Sequence, residues 1–390
     1  MRYLETLRLG RLALAALGVV VVTAACAAGG EQSPAATALP EPNAALQGTV
    51  VIGAVLPLTG TNATIGKDQK RGIDLAVADI NSRNGVLGKR LEVKVEDSEG
   101  RADAAIQAAR KLVGVDKVPA VIGEYSSGIT IPLQQFLQSS NVVGVNSGSS
   151  STEIRNTGPL QFSVIGLDDV AGAFTAKALR DKGYQTIAVL APNNAYGSGI
   201  VKSVSAAFQK LGGKVTTSGL YNEGQADYRQ ELQRLRDSNP DAYVLTTYGK
   251  DGTTINSQAF ELGMTDKPVF DIYLSQDVPD ADPASVQGRV GMDVNSIAAS
   301  GKAYQESYRK AFGEEFISSF NGLSYDAVSL LAAAIDKAGG TDPAAIAAAL
   351  PQVSDTFVGV TGPLKLDQDG QRVDQPYVIA TVDDGRIVPQ

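Results

Sequence analysis

The sequence contains no histidine, and its only cysteine is Cys26. These counts exclude a zinc site built from cysteine and histidine. They also exclude the Ser-His-Asp and Cys-His arrangements of nucleophilic catalysis. A disulfide within the chain is impossible with one cysteine, so the usual indication of redox compartment is missing. We therefore expect neither a metal nor another cofactor.

Positive charge is also scarce. The chain has 34 Lys and Arg against 42 Asp and Glu, a formal net charge of −8 and a pI of about 4.8. Without a basic stripe, nucleic acid is not expected as a partner. The absence of Trp and the 6% aromatic content argue against a base-stacking surface. Hydrophobic content of 43% fits a globular protein, and 390 residues are enough for two ordinary domains.

The longest apolar run is short and lies at the N-terminus. Arg2, Arg8 and Arg11 precede an apolar stretch at residues 12–22, which ends in Thr23-Ala24-Ala25-Cys26. The stretch is too short to span a membrane comfortably. A basic start, a short apolar run and small residues predict a secretory signal over residues 1–25.

The end of this signal resembles a lipobox, in which the cysteine becomes the lipidated first residue of a bacterial lipoprotein. Thr23 stands where a lipobox usually has leucine. The alternative to a lipoprotein signal is an ordinary secretory signal that contains a cysteine by chance. Residues 26–48 are rich in Ala, Pro and Gly and have no hydrophobic period, which predicts a flexible tether. We expect an extracytoplasmic protein held at the cell membrane by its lipid alone.

From residue 49 onward, short apolar runs alternate with amphipathic segments. The pattern predicts an α/β fold with parallel sheets covered by helices on both faces. The alternation restarts after Gly166-Leu167-Asp168, which suggests two Rossmann-like lobes of the same architecture. Two helices follow, at residues 301–312 and 322–339. The chain then ends in predicted strands with the sequences VGVTGPLKLD and PYVIATVDDGRIV.

Polar residues follow the predicted strands. In open α/β sheets, ligands bind beyond the carboxyl ends of the strands. A few placed polar groups in a concave site are what a small-molecule pocket needs. The segments in question are PLTG (57–60), EYSS (124–127), NSGSS (146–150), NNAYG (193–197) and YGKD (248–251).

Several motifs, in order, resemble type I periplasmic binding proteins of the branched-chain amino acid ABC transporter family. They are IGAVLPLTG, RGIDLAVADINSRNGVLGKRLEV, VIGEYSSGITIP, AYGSG, YDAVSLLAAAIDKAG and GVTGPLKLDQDG. The resemblance covers about residues 49–385. It implies a non-enzymatic, monomeric protein that captures a small polar ligand by closing two lobes and delivers it to a membrane permease. Lobe 1 would hold residues 49–166 and 297–367, and lobe 2 residues 167–296 and 368–390, joined by three chain crossings.

The resemblance also assigns the ligand site. A carboxylate would meet Ser127, the Gly148 backbone and Ser150, with Ser126 and Ser149 beside them; Tyr196 and Tyr248 map to cleft positions. Ser127 lies where a predicted strand gives way to a helix, and helix N-termini favour anions, which supports this assignment. Ser127 as a simple helix cap is the alternative.

One expected residue is missing. Amino-acid binders of this family place a glutamate on lobe 2, where this chain has Tyr273. A buried ammonium without an acidic partner is costly. Asp271, Asp277 or Glu124 could replace that glutamate. Otherwise the ligand is an amide, a urea-like solute or an aromatic or aliphatic carboxylate. A hydrolase in the same cleft is the alternative of another class, and the lack of histidine argues against it.

Overall fold

The structure is a computed structural model, which describes residues 38–298 and 301–390. The predicted signal, Cys26 and the tether up to residue 37 lie outside the described residues. The strands are β1 (Thr49–Leu56), β2 (Arg90–Asp97), β3 (Ala120–Gly123), β4 (Val143–Asn146), β5 (Gln161–Gly166), β6 (Thr186–Pro192), β7 (Lys214–Tyr221), β8 (Ala242–Leu245), β9 (Val269–Ile272), β10 (Val290–Val294), β11 (Val358–Gly359), β12 (Gly362–Pro363), β13 (Gln371–Arg372), β14 (Tyr377–Asp383) and β15 (Arg386–Pro389).

The helices alternate with these strands. They are α1 (Ala63–Ser82), α2 (Ala102–Gly114), α3 (Ser127–Ser139), α4 (Asp168–Asp181), α5 (Ala195–Lys210), α6 (Arg229–Asp237), α7 (Gly249–Glu261), α8 (Leu274–Asp277), α9 (Pro283–Val286), α10 (Lys302–Phe312), α11 (Phe320–Ala338) and α12 (Pro343–Ser354). No helix within residues 38–298 and 301–390 combines the length and the hydrophobicity needed to cross a membrane.

Two sheets define two lobes. In lobe 1, a six-stranded parallel sheet has the order β13-β5-β4-β3-β1-β2. In lobe 2, a seven-stranded sheet has the order β15-β14-β10-β9-β8-β6-β7, in which β14 is antiparallel to both of its neighbours and the other pairs are parallel. Both lobes share the order second, first, third, fourth, fifth for their main strands. The predicted doubly wound α/β architecture with two lobes is therefore confirmed.

Helices cover both faces of each sheet, as buried parallel strands require. In lobe 1, α1, α11 and α12 pack on one face and α2 and α3 on the other. In lobe 2, α4 and α5 lie on one face and α6 and α7 on the other. The shared strand order places the switch point between β1 and β3 in lobe 1 and between β6 and β8 in lobe 2, where ligands of such sheets bind.

The segment before β1 contacts lobe 1. The Asn43 backbone N–H donates to the Asn81 carbonyl at 2.7 Å, and the Asn43 side chain donates to the Arg83 carbonyl at 2.7 Å. Leu39 packs against the cluster that contains Tyr304. These contacts hold residues 39 and 43, in the last part of the expected tether, against lobe 1.

Candidate functional site

A narrow cavity lies where the two lobes meet, at the carboxyl ends of the strands. Its volume is about 10 Å³, which is roughly the space of one water-sized sphere. A larger solute can enter only if the lobes separate. The lining residues are Tyr125, Ser126, Ser127, Gly148 and Ser150 from lobe 1 and Tyr196, Tyr248 and Gln276 from lobe 2.

Ser127 is the first residue of α3 and is buried. Its Oγ accepts a hydrogen bond from the Ser151 N–H at 3.2 Å, so its own proton is available to donate. The first N–H groups of a helix have no partner within the helix. In α3, the Ile129 and Thr130 N–H groups both bond to the Ser126 carbonyl. These two N–H groups are therefore not free for a ligand, and this end of the cavity offers the Ser127 hydroxyl proton and the positive end of a helix dipole.

Gly148 and Ser150 line the cavity from the loop after β4. The Gly148 N–H donates to Asn146 Oδ1 at 3.1 Å, so in this structure it is not free for the ligand carboxylate that the resemblance assigned to it. The Ser150 hydroxyl bonds to Asp168 Oδ1 at 2.7 Å. Neighbouring Ser149 instead turns into lobe 1, where its Oγ donates to the Tyr125 carbonyl at 2.9 Å. The structure thus brings Ser150 to the cavity and leaves Ser149 behind it.

Aromatic rings close the cavity from both lobes. Tyr125 and Tyr248 meet across the cleft in an edge-to-face contact with 5.8 Å between ring centroids, and Tyr125 also contacts Phe320 at 5.2 Å. The Tyr196 hydroxyl bonds to Thr246. The Tyr248 hydroxyl accepts from Asn194 Nδ2 at 2.6 Å and donates to Glu223 Oε1 at 2.9 Å. Both predicted tyrosines line the cavity; Tyr125, named in the sequence only as part of EYSS, joins them.

The predicted acidic candidates lie outside this lining. Glu124 is buried, accepts from the Ser98 hydroxyl at 2.6 Å and from the Ser126 N–H at 2.7 Å, and burial raises its pKa to about 7. Asp271 is buried against Arg289, with its Oδ1 3.4 Å from Arg289 Nη1.

Asp277 is buried as well and accepts from the Thr247 hydroxyl at 2.7 Å. Burial raises its pKa, and the charge of Asp271 adds to the shift. Each of these acids is thus bonded inside its own lobe, although Asp277 Oδ2 has no hydrogen-bond partner among the described residues.

Gln276 is the cavity residue that follows β9. Its Oε1 is buried and has no hydrogen-bond partner among the described residues. The family resemblance placed the expected glutamate near Tyr273, but Tyr273 has a φ of 62° and its hydroxyl bonds to Tyr377 at 3.0 Å. The turn at Tyr273 starts the short helix α8, which carries the next residues toward the cavity. The position of the cavity residue could not be predicted by counting residues from the end of β9, because the sequence does not reveal this turn.

The two lobes, the strand order and the cleft define a solute-binding fold. The sequence pattern of the family described as periplasmic binding protein matches residues 49–386. The chain belongs to this family, whose members are solute-binding proteins, and this places it outside the cytoplasm.

Individual relatives cover most of the chain. A leucine-, isoleucine-, valine-, threonine- and alanine-binding protein of Pseudomonas aeruginosa is 28% identical over 335 residues, which is 83% of this chain and 87% of the relative. The structure of LivJ from Streptococcus pneumoniae, a branched-chain amino acid transporter substrate-binding protein in complex with isoleucine, is similar with a TM-score of 0.78 and 24% identity, over 87% of this chain and 97% of that one.

A solute-binding protein of an ABC transporter from Rhodopseudomonas palustris, in complex with 3,4-dihydroxybenzoic acid, has the same TM-score of 0.78. It is 21% identical, over 88% of this chain and 96% of that one. At such identities the two structures show a shared fold. The fold is therefore compatible with ligands of different chemistry.

Proposed function

We propose that this protein captures a small α-amino acid in the cleft and delivers it to the permease of an ABC importer. The observation that carries this proposal is the pairing of the Ser127 hydroxyl, at the N-terminus of α3, with the Ser150 hydroxyl, which donates to the buried Asp168 and keeps its lone pairs to accept. The carboxylate and ammonium groups of an α-amino acid are adjacent, as these two hydroxyls are. The names of the Pseudomonas and Streptococcus relatives support an amino acid with an aliphatic side chain.

Closure of the lobes is part of the proposal. A cavity of about 10 Å³ must open before an amino acid can enter, and ligand binding would then favour a closed arrangement wide enough to hold it. Hinge closure of this kind is common among two-lobed binding proteins. Tyr125 and Tyr248, which meet across the cleft, would lie over the ligand.

A solute without an ammonium is the second candidate. Gln276 is neutral and occupies the cavity from the segment where a glutamate was expected. The Rhodopseudomonas structure with an aromatic acid shows that the fold accommodates such a ligand. Carboxylates, amides and urea-like solutes form this group. A hydrolase has less support, because among the described residues Ser127 Oγ bonds only to the Ser151 N–H and has no base beside it.

Thermal shift with purified protein tests the function. Each aliphatic amino acid is paired with its desamino analogue, and amides and urea are added to the panel. Bound ligand should raise the unfolding temperature in a concentration-dependent way and be recovered unchanged. Recovery of a cleaved ligand would instead establish an enzyme, and no shift with any compound of the panel would refute the proposed ligand classes.

Ser127→Ala tests the donor end of the cavity. The variant should weaken L-leucine binding by about 1–3 kcal/mol, because a carboxylate oxygen in the closed cleft loses its donor. Isothermal titration calorimetry measures the change. Ser139→Ala is the matched control, since Ser139 is exposed at the other end of α3 and bonds only locally to the Phe136 carbonyl. Equal affinity of Ser127→Ala and wild type would show that Ser127 does not bind the ligand and that its hydroxyl only holds the Ser151 N–H.

We further propose that Cys26 carries the lipid that holds the protein at the membrane. Wild-type protein should partition with membranes, and Cys26→Ala should be released or keep its signal uncut. Mass spectrometry of the mature N-terminus gives the second measurement, with an added diacylglyceryl group expected, since one acyl chain binds membranes only marginally. Wholly soluble wild-type protein with a free thiol would contradict the proposal.

A further inference from the structure

A second cavity lies in lobe 2, at the edge of the sheet opposite the cleft. Its volume is about 310 Å³, which is within the usual size of small-molecule pockets, roughly 300–1,000 Å³. It is formed by the end of α7, the segment at residues 263–269 and the residues that precede β10. The parallel strands β9 and β10 begin at this edge and end at the cleft. The cavity is therefore separate from the interlobe site.

Arg289 lines this cavity although it is buried, with a side chain that is 6% exposed. Its Nη1 donates to Asn256 Oδ1 at 2.7 Å and lies 3.4 and 3.5 Å from the two carboxylate oxygens of Asp271. Within the described residues, all side-chain hydrogen bonds of Arg289 run from Nη1. Its Nε and Nη2 therefore carry N–H donors without a protein partner, which is costly for a buried charged group.

The contact with Asp271 leaves the main binding geometry of the guanidinium unused. A guanidinium binds a carboxylate best through two parallel N–H···O bonds from two nitrogens, at about 2.7–2.9 Å. Asp271 is farther away and meets one nitrogen alone. Nε and Nη2 together form the planar fork of donors that fits a second carboxylate.

A second positive group lines the same cavity. Lys267 Nζ donates to Asn239 Oδ1 at 2.5 Å and to the Pro240 carbonyl at 2.6 Å. An ammonium has three N–H groups, so one remains for a ligand. Asp266 also lines the cavity but is exposed, where solvent and salt screen its charge. In a chain with a net charge of −8, this combination of Lys267 and Arg289 favours an anion.

The rest of the lining indicates what the anion carries. Phe260, Met264 and Val269 contribute apolar side chains to the cavity. Phe260 is 48% exposed, and an aromatic side chain left in water can gain by covering it with an apolar partner. A small inorganic anion would leave this apolar wall uncovered.

We propose that this cavity, the Arg289 pocket, binds a small carboxylate with an apolar body. The carboxylate pairs with Nε and Nη2 of Arg289, and the body packs against Phe260 and Met264. The Arg289 pocket is independent of the ligand proposed for the cleft, and both sites can be occupied at once.

Phe260→Trp supplies a local reporter, because the chain has no Trp and the exposed position leaves room for the larger ring. Benzoate and 4-methylpentanoate should change the tryptophan emission in a saturable way. Benzamide has nearly the shape of benzoate but no charge. Its Kd should be at least about tenfold higher than that of benzoate, because hydrogen bonds to charged groups are the stronger ones.

Two further substitutions, each made together with Phe260→Trp, test the site. Arg289→Lys keeps the positive charge but loses the fork, so the Kd for benzoate should rise at least about tenfold. Ala284→Phe leaves Arg289 and its partners in place and fills the pocket from an exposed position in α9, so the response to benzoate should disappear. This second variant keeps the test decisive if Arg289→Lys fails to fold.

Ala344→Phe is the matched control for Ala284→Phe. Both alanines are exposed and follow an Asp-Pro pair that starts a helix, Asp282-Pro283 in α9 and Asp342-Pro343 in α12. Ala344→Phe should therefore leave the response to benzoate unchanged.

Several results would overturn the proposal. They are no saturable change with either carboxylate, an equal affinity for benzamide, a response to inorganic phosphate alone, or a response that survives Ala284→Phe. Benzoate that raises the unfolding temperature without changing the tryptophan emission would bind elsewhere and would also overturn it. Amino-acid binding in the cleft is measured separately on the protein without these substitutions, so each of these results leaves the proposed function standing.

Discussion

Gly72→Ala is expected to lower the free energy of unfolding by about 3 kcal/mol, the upper end of what overpacking usually costs. A Cβ at Gly72 would stand 2.1 Å from the Asn321 carbonyl oxygen. Gly72 lies in α1 and Asn321 in the first turn of α11, so the methyl group would force the two helices apart. The contact cannot relax easily, because Asp68 Oδ2 of α1 accepts from the Ser318 N–H at 2.9 Å and from Asn321 Nδ2 at 3.1 Å.

Chemical unfolding of the wild type and the variant measures this loss. Gly114→Ala is the matched control, because Gly114 ends helix α2 and a Cβ there meets no atom within 4 Å. The control should change the stability by less than about 0.5 kcal/mol, as is usual for surface substitutions. If Gly72→Ala were as stable as the control, the close approach of α1 and α11 would be incorrect.

The wild type is expected to lose stability as the pH rises from about 4.5 to 7. Glu124→Gln is expected to abolish this pH-dependent loss. Burial raises the pKa of Glu124 from 4.5 to about 7, so the folded state holds this proton more tightly than the unfolded state. Its contribution is fully present below pH 4.5 and is lost as the pH rises through 7. A shift of this size corresponds to about 3 kcal/mol, and the glutamine variant should gain most of that amount above pH 7.

Glutamine can keep both hydrogen bonds of Glu124 if its oxygen accepts from the Ser126 N–H and its amide donates to Ser98. Urea unfolding between pH 4.5 and 8 measures the two profiles. Glu153→Gln, at an exposed position, is the control and should leave the wild-type pH dependence unchanged. A Glu124→Gln profile parallel to that of the wild type throughout this range would show that Glu124 is ionised in the folded state at low pH.

Much of the fold could be predicted because strongly apolar strands alternate with amphipathic helices. The sequence did not reveal β5, β10 or α12, however. Buried polar residues interrupt the apolar run of both strands: Gln161 and Ser163 in β5 and Asp293 in β10. Helix α12 is alanine-rich and lacks a clear apolar stripe, although Asp342 caps it and Pro343 follows at its first position, a start signal that could have revealed it. The predicted strand over VGVTGPLKLD was wrong, since only β11 and β12, of two residues each, form there.

The cleft was predictable at the level of segments and less so at the level of side chains. Residues that directly follow strands, such as Ser127 and Tyr248, could be placed because the carboxyl ends of parallel strands share one edge of the sheet. The acids could not be placed, because their roles depend on partners distant in sequence. Asp271 meets Arg289, and Asp168 meets Ser150 from the loop after β4. No periodicity in the sequence encodes those pairs.

The discontinuous sheet of lobe 1 has a consequence for how the chain folds. Helix α11 packs against α1, and Asn321 and Asp68, which bond directly, are 253 residues apart. Strand β13, at residues 371–372, then completes the sheet beside β5. A chain that emerges N-terminus first cannot bury the apolar face of β1 to β5 until α11 has emerged as well. Lobe 1 must therefore stay incompletely folded until most of the polypeptide is available, and its assembly is slow to begin because such distant contacts close large loops.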